Sequence, residues 1–496
     1  MSDIVLKSTS SSLWIQLGGP NTEPAFLGCH ELDDISEPLS SFAPIRCRKA
    51  DGTGWRTVGQ SESPPDNVTT TVTTLLYSQR DLIEKLRTCP ANLYILEREC
   101  GPVNVFSGFT RGQILHNVRA ESRTFSNMLQ REGDDPSTVA VAMVADDLID
   151  LDGLVVERIT TAETEALNGV WANTDLRCAD ACGTALDLGE LVYAAADSAV
   201  GPATANTQYS ADMGLTYAPL TTDPFGAGLL SMAITRFPMG GSDYRLLAAE
   251  FGIVATQGNV AYSDDNGVGA WTTVAVGGAA AGHGAQTGHG LFALDMNNIW
   301  LATLGGYIYK STDGGETWTA VDAAGISAAN YYCIHFADEK YGVAGGVADK
   351  IAVSSDGGIN WVAATATGGG GEILCCFRKD KDHIWVGDDD GKLWYSNDGG
   401  TTWTQRTGWV GSGIGDVKDV TFVNELVGFM LHNDAVPLGT VLQTIDGGAS
   451  WTALDTPANI GLNKIAAVST SLAHVVGEVG AAPATAVILR VAALGV

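Results

Sequence analysis

The chain has 496 residues, 45% of them apolar and 60 of them glycine, and carries a formal charge of -29. That is enough apolar mass for two or more cores, and the glycine excess favours turn-rich β structure. The charge is uneven, with 20 acidic against 13 basic side chains in residues 1–150 and 37 against 15 in the rest. So negative a field excludes sequence-specific DNA binding, whose affinity comes largely from Lys and Arg neutralising phosphates.

Met1 to Ser12 lack the apolar core of a secretory signal. No window approaches the roughly 18 apolar residues of a membrane helix. The expectation is a protein made in the cytosol, with no membrane insertion. Nine cysteines fit that compartment, and adjacent Cys375 and Cys376 in an apolar run read as buried thiols. Cys178 and Cys182 read as structural, with pairing or metal binding left open.

Residues 1–152 read as a compact α+β domain. Strand-like runs fall at Ser12–Gly18, Val68–Tyr77, Leu93–Glu97, Val105–Thr110, Ile114–Val118 and Val139–Ala145. One helix is expected from the Ser78 cap through Asp81, Leu82, Ile83 and Leu86 to the stop at Pro90. The polar segment Asp51–Asn67 is expected to be an irregular loop that meets a partner. Residues 153–185 read as a linker that includes a strand at Leu154–Thr160.

From residue 186 to 496 an internal repeat dominates. Ser/Thr-x-Asp-x-Gly-x-x-Trp occurs at Ser311-Asp313-Gly315-Trp318, Ser354-Asp356-Gly358-Trp361, Ser396-Asp398-Gly400-Trp403 and Thr444-Asp446-Gly448-Trp451. A fifth copy, Ser263-Asp265-Gly267-Trp271, has one extra residue, and a degenerate sixth is Ser210-Asp212-Gly214-Tyr217. The aromatic positions lie 54, 47, 43, 42 and 48 residues apart, the period of a four-stranded propeller blade. In each box the Asp is placed to accept turn N–H groups, the Gly to supply positive φ and the Trp to open the outgoing strand.

Short apolar runs before each box read as the first three strands of a blade, for example Ile373–Phe377, His383–Val386 and Leu393–Tyr395. A last unit, Lys464–Val468, His474–Val476 and Ala486–Arg490, has no box and no fourth strand. Leu154–Thr160 is expected to pair with it and close the ring. Counting second strands from Leu191–Ala194 gives seven blades; six follow if the unit around Tyr217 only completes the last one. The fold expected is mainly β: an N-terminal domain followed by a seven-bladed, alternatively six-bladed, Asp-box β-propeller.

The boxes resemble those of sialidases and of sialidase-like and photosystem-assembly-factor propellers, over roughly residues 186–496. That resemblance implies boxes on rim turns, with an architectural role. Sialidase chemistry also needs an arginine triad, a tyrosine nucleophile beside a carboxylate and a Phe-Arg-Ile-Pro motif. Here the arginines after residue 186 are Arg236, Arg245, Arg378, Arg406 and Arg490, and Arg236-Phe237-Pro238 lacks the pattern. In the first domain, the strand, long loop, Thr-rich strand Val68–Thr74, helix and second sheet resemble the layout of bacteriophage major tail tube proteins. The stretch from Ile159-Thr160-Thr161 through Leu167-Asn168 to Cys178 and Cys182 is similar to the start of propellers in phage structural proteins.

The tail-tube resemblance implies a β-sandwich flanked by a helix, assembling into stacked hexameric rings. The expected function is therefore a virion tail tube subunit, assembled in the host cytoplasm. Its partners are itself, other tail proteins, and a host-surface glycan or protein met by an outward-facing propeller. The alternatives are a non-viral glycan- or protein-binding propeller and a divergent glycosidase whose carboxylate pair sits in the central funnel. Asp388-Asp389-Asp390-Gly391 has Ca²⁺-ligand character but reads as a solvated hairpin turn. Eight dispersed histidines and the lack of a phosphate-binding loop leave no cofactor, metal or catalytic residue to assign.

Overall fold

The computed structural model describes residues 11–17, 25–29, 41–48, 55–63, 68–76, 91–97, 111–125, 138–145 and 147–152. From 154 on it describes most of the chain, outside 173–191, 197–206, 252–257, 277–287, 322–329 and shorter gaps. The chain divides into two compact units, Met1–Gly153 and Leu154–Val496. All regular elements among the described residues are strands. The expected helix at 78–89, the run Val105–Thr110, Asp212 and the pair Cys178 and Cys182 lie outside the described residues.

The first unit contains β1 (Ser11–Leu17), β2 (Ala25–Cys29), β3 (Ser41–Arg48), β4 (Trp55–Ser63), β5 (Val68–Leu76), β6 (Ala91–Glu97), β7 (Arg111–Phe125), β8 (Thr138–Ala145) and β9 (Asp147–Asp152). One sheet runs β2-β1-β6-β7-β8-β5, with β9 beside β7, while β3 and β4 pair as a separate hairpin. β7 spans 15 residues and changes partners along its length: Arg111–Val118 pair with β6, and Arg119–Phe125 with β8. Ile15, Leu93, Tyr94, Ile114, Leu115 and Val118 form its buried core. Within that core the Asn92 amide and the Tyr94 hydroxyl both donate to Gln16 Oε1, at 2.8 and 3.0 Å. The expected irregular loop Asp51–Asn67 is corrected here, because Trp55–Ser63 is strand β4. The segment is mostly polar and ends in Ser63-Pro64-Pro65-Asp66, yet its strand forms by pairing with β3 alone and needs no apolar run.

The second unit opens with β10 (Leu154–Ile159) and continues with six antiparallel sheets, each of four consecutive strands. The first sheet is β11 (Leu167–Ala172), β12 (Val192–Ala196), β13 (Gln208–Ser210) and β14 (Ala218–Pro219). The second is β15 (Leu230–Gly240), β16 (Asp243–Phe251), β17 (Gly258–Ser263) and β18 (Thr272–Val276). The third is β19 (Gly288–Asp295), β20 (Asn298–Thr303), β21 (Ile308–Ser311) and β22 (Thr319–Val321). The fourth is β23 (Tyr331–Phe336), β24 (Gly342–Gly346), β25 (Lys350–Ser354) and β26 (Val362–Ala363). The fifth is β27 (Ile373–Arg378), β28 (Ile384–Asp388), β29 (Leu393–Ser396) and β30 (Thr404–Arg406). The sixth is β31 (Asp416–Phe422), β32 (Gly428–Asn433), β33 (Gly439–Thr444) and β34 (Thr452–Ala453).

The seventh sheet joins the two ends of the unit. β35 (Leu462–Ser469), β36 (Leu472–Val479) and β37 (Ala486–Ala493) follow one another, and β10 adds antiparallel to β37 from Leu154↔Ala493 to Ile159↔Ile488. The first strands touch in cyclic order, each against the next, and β35 touches β11. The segment 153–185, expected as linker and closing strand, thus also supplies β11, the first strand of the first sheet. No box precedes that strand, so nothing in the repeat marked it.

Faces of neighbouring sheets bury each other. β20, β24 and β28 are almost wholly buried, whereas β26 and β34 are exposed. Between sheets the Trp300 ring stacks on Phe336 at 3.6 Å, with Trp361 edge-on at 5.7 Å. Two interfaces further round, Trp385 packs against Phe422 at 4.5 Å. Truncating such a ring to Ala costs about 3–5 kcal/mol.

Candidate functional site

The boxes lie on the turns between third and fourth strands. In all six copies the Ser or Thr hydroxyl accepts the N–H of the box glycine, at 2.9 Å for Gly214, Gly267, Gly315, Gly358 and Gly400 and 2.8 Å for Gly448. In the five copies with a described Asp, the hydroxyl donates back to that carboxylate at 2.6–3.0 Å. The carboxylate of the four clean copies also accepts the N–H of the residue before Trp: Thr317, Asn360, Thr402 and Ser450, at 2.8–2.9 Å. Those four side chains donate to the second carboxylate oxygen as well. The sequence reading anticipated the Asp accepting turn N–H groups but missed the Ser or Thr hydroxyl and the side chain before Trp, although a polar residue before every clean Trp was a visible signal.

The box glycines have φ between 75° and 91°, the left-handed region a side chain disfavours. They are also where sheets meet, since a Cβ at Gly315, Gly358 or Gly448 would strike Leu247, Trp300 or Trp385 of the preceding sheet. Each clean box turn is bonded to the first-to-second turn of its own sheet, for example Gly357 N–H to Lys340 C=O at 3.0 Å. The described polar groups of the clean box turns are thus bonded within the fold, while Leu215 and Ile359 in box turns stay exposed. Burial opposes ionisation of Asp313, Asp356 and Asp398, but the bonds from Thr317, Asn360 and Thr402 outweigh it and hold their pKa values below the ordinary range. Asp446 is fully buried, and there desolvation wins and raises it.

The opposite end is built from second-to-third turns and from the linkers between sheets. Asp349 N–H donates to Gly371 C=O at 2.7 Å, Asp389 N–H to Glu372 C=O at 3.1 Å, Gly413 N–H to Gly391 C=O at 2.8 Å and Glu478 N–H to Gly461 C=O at 2.9 Å. Ala348 and Asp349 have φ of 52° and 59°, unusual for non-glycine residues and a cost carried at this rim. The Asp349 carboxylate gathers the next linker, accepting from Thr367 N–H and Oγ1 and Gly368 N–H at 2.8–3.1 Å. The Tyr332 phenol, its pKa raised first by burial and then by Glu372, shares a hydrogen bond with that carboxylate, and Asp389 stands near. Asp389, Asp390 and Ile414 are exposed here.

The Asp388-Asp389-Asp390 run is a rim turn, as expected. Asp388 is buried and accepts from Asp390 N–H, Lys392 N–H and Trp394 Nε1, while Asp389 accepts from Glu372 N–H and Asp390 pairs with Lys392 at 2.8 Å. No group of three or more His, Cys, Asp or Glu among the described residues is arranged to hold a metal ion.

The first strands enclose a lumen. In every one of the seven, the register to the second strand slips by one residue near its start, at Asn168, Met232, His289, Tyr332, Leu374, Lys418 and Asn463. Aligned on that bulge, the next residues form one layer: Gly169, Ala233 and Gly290 on one side, Cys333, Cys375, Asp419 and Lys464 on the other. Two residues on come Trp171, Thr235, Phe292, His335, Phe377, Thr421 and Ala466.

Contacts bear the alignment out. Lys464 Nζ bonds Asp419 Oδ1 at 2.9 Å, and Asp419 Oδ2 accepts Ile465 N–H at 3.0 Å. The His335 ring sits 4.6 Å from Phe292 and 4.4 Å from Phe377. Burial opposes the Lys464 ammonium, but Asp419 and the thiols of Cys375 and Cys333 outweigh it and raise its pKa. Burial, then the charge of Lys464, lowers His335 to about 3. Its Nδ1 accepts Arg378 N–H at 3.2 Å, so the neutral ring carries its proton on Nε2. Lys464 is surrounded by sheets yet 41% of its side chain is accessible, as a group standing in a lumen must be. Cys333, Cys375 and Cys376 are free buried thiols, as the sequence suggested for the last two, and burial pushes Cys375 and Cys376 well up.

The five arginines are dispersed over β15, β16, β27, β30 and β37. Arg245 bonds Asp264 at 2.6 Å and Glu316 at 3.1 Å, and Arg378 donates to Gly342 and Lys381 carbonyls at 2.7 and 2.6 Å. Arg236 lies over Tyr244 at 4.1 Å, Arg406 over Tyr395 at 4.6 Å, and Arg490 is buried near His474.

Known proteins place this architecture. The BNR/Asp-box repeat family matches residues 309–320. A streptogramin B lyase structure superposes with a TM-score of 0.51 at 10% identity, covering 69% of this chain and 98% of that one. The WD40 repeats of RRP9 superpose at 0.50 and 11% identity, covering 68% and 98%. The second unit is of β-propeller type. YCF48 from Cyanidioschyzon merolae is similar at 15% identity with a TM-score of 0.48, covering 68% and 98%. No curated protein matches the sequence. Nothing in these likenesses supports the tail-tube domain expected for residues 1–152, whose helix and sandwich remain outside what the described strands show.

Proposed function

We propose that this chain is a binding protein: a seven-bladed Asp-box propeller that recognises a protein or a glycan through the end opposite its boxes. The observation that carries it is the linker end itself, where the left-handed Ala348-Asp349 turn stands with exposed Asp389, Asp390 and Ile414 beside the Tyr332–Glu372 pair. Strain of about 1–3 kcal/mol held at a rim is more often a feature of recognition than of folding. A partner that fits this rim carries hydroxyls or cations for Tyr332, Glu372, Asp389 and Asp390. The test screens the full chain against a glycan array and fluorogenic glycosides. Binding that disappears in Asp389→Asn/Asp390→Asn supports the reading. Hydrolysis abolished by Glu372→Gln would make the site catalytic instead.

The tube-subunit reading stands second, on one observation. β3 and β4 pair only with each other among the described strands, the form of a projecting arm that a neighbouring copy can order. That reading carries with it a virion tail location, self-assembly into stacked rings and contacts to other tail proteins. Negative-stain images of the full chain and of a Gly52–Pro65 deletion decide it: rings or tubes lost on deletion support it, and dispersed particles at high concentration dismiss it.

A further inference from the structure

We propose that the lumen is a second binding site, independent of the rim, for a small monoanion with an apolar body, such as an aromatic carboxylate. Lys464 supplies the anion contact. Its ammonium has three donors, and the hydrogen bond to Asp419 uses one. Asp419 itself is only 7% accessible and its other oxygen is held by Ile465 N–H, so a ligand in the lumen meets the cation and not the carboxylate.

The same layer has its smallest side chains on the side away from Asp419. Next to Lys464 in the ring comes Gly169 on β11, then Ala233 and Gly290, with Gly290 and Cys333 opposite Lys464. The body meets Phe292 and His335, which are part-accessible, backed by the buried Phe377. Two residues along each strand, about 7 Å away, Phe292, His335 and Phe377 make a run of rings at 4.4–4.6 Å spacing. The neutral His335 offers Nε2–H as a second donor at that level. Carboxylate at one layer and ring at the next fits a molecule the length of a naphthoate.

The experiment titrates the full chain with 2-naphthoate and with uncharged 2-naphthamide by calorimetry. Naphthoate is expected to bind one to one and the amide at least tenfold more weakly. Lys464→Met alone strands a buried Asp419, so the decisive variant is Asp419→Asn/Lys464→Met, which removes both charges and should keep the wild-type melting temperature while losing naphthoate. Asp419→Asn alone, removing the negative charge that neutralises Lys464, should tighten binding, and Lys418→Met, at the bulge and paired with Asp416 at 2.8 Å, should leave it unchanged. Equal affinity for acid and amide, equal affinity in the double variant, or no saturation at millimolar naphthoate overturns the proposal. Rim variants failing to bind glycan leave naphthoate binding intact, so the two sites fail separately.

Discussion

At the scale of single residues, the two oxygens of a box are not equal. In the box at 354–361 the Ser354 hydroxyl holds a buried N–H of Gly358, whereas Asp356 holds an exposed N–H of Asn360 that water can take over. Ser354→Ala should cost about 1–3 kcal/mol and Asp356→Ala about 1 kcal/mol or less, by urea denaturation. The order should change in the box at 444–451, where Asp446 is fully buried and its loss unpairs the part-buried Ser450 N–H. Acid should act through His335 and His474. Burial is the main reason both fall from 6.5 to about 3 in the fold, with Lys464 and Arg490 adding to it. Each is neutral when folded and takes up a proton when unfolded, so the stability is intact above pH 6.5 and declines as pH falls toward 3. A denaturation series between pH 7 and 4 should show this slope, and His474→Gln should flatten it; a flat wild-type profile would contradict the assignment.

At the scale of elements, the closing strand makes the sharpest claim. A chain starting at residue 154 should fold and melt cooperatively, and one starting at 161 should aggregate, because β37 then exposes an eight-residue edge. Equal solubility of the two would show the closure to be dispensable. Much of this level was legible in sequence. The box spacing gave the sheet period, and Leu154–Thr160 was readable as the closer because the last unit lacked a fourth strand of its own. β11 was not legible, since Leu167–Ala172 is a single short apolar run far upstream of its own degenerate box at 210–217, and β4 was not, since its sequence is mostly polar and shows no clear apolar alternation. Lys464 and Asp419 escaped notice for a different reason: a lumen is assembled from one residue per sheet, and no sequence window contains two of them.

At the scale of the whole molecule, charge and topology set the behaviour. A net charge of -29 repels itself, so the melting temperature should rise between 20 mM and 500 mM sodium chloride as screening shortens the range of that repulsion. A fall on adding salt would mean that ion pairs such as Lys379–Glu425 and Arg245–Asp264 outweigh the repulsion. Topology adds a mechanical property. Leu154 pairs with Ala493, so the chain enters β10 and leaves β37 at the same end of that ladder. Tension applied through residues 153 and 494 therefore loads the bonds one at a time instead of sharing the load along six pairs. The ring is closed firmly against heat and denaturant, which must break the ladder at once, but it unzips under a pull on its two ends.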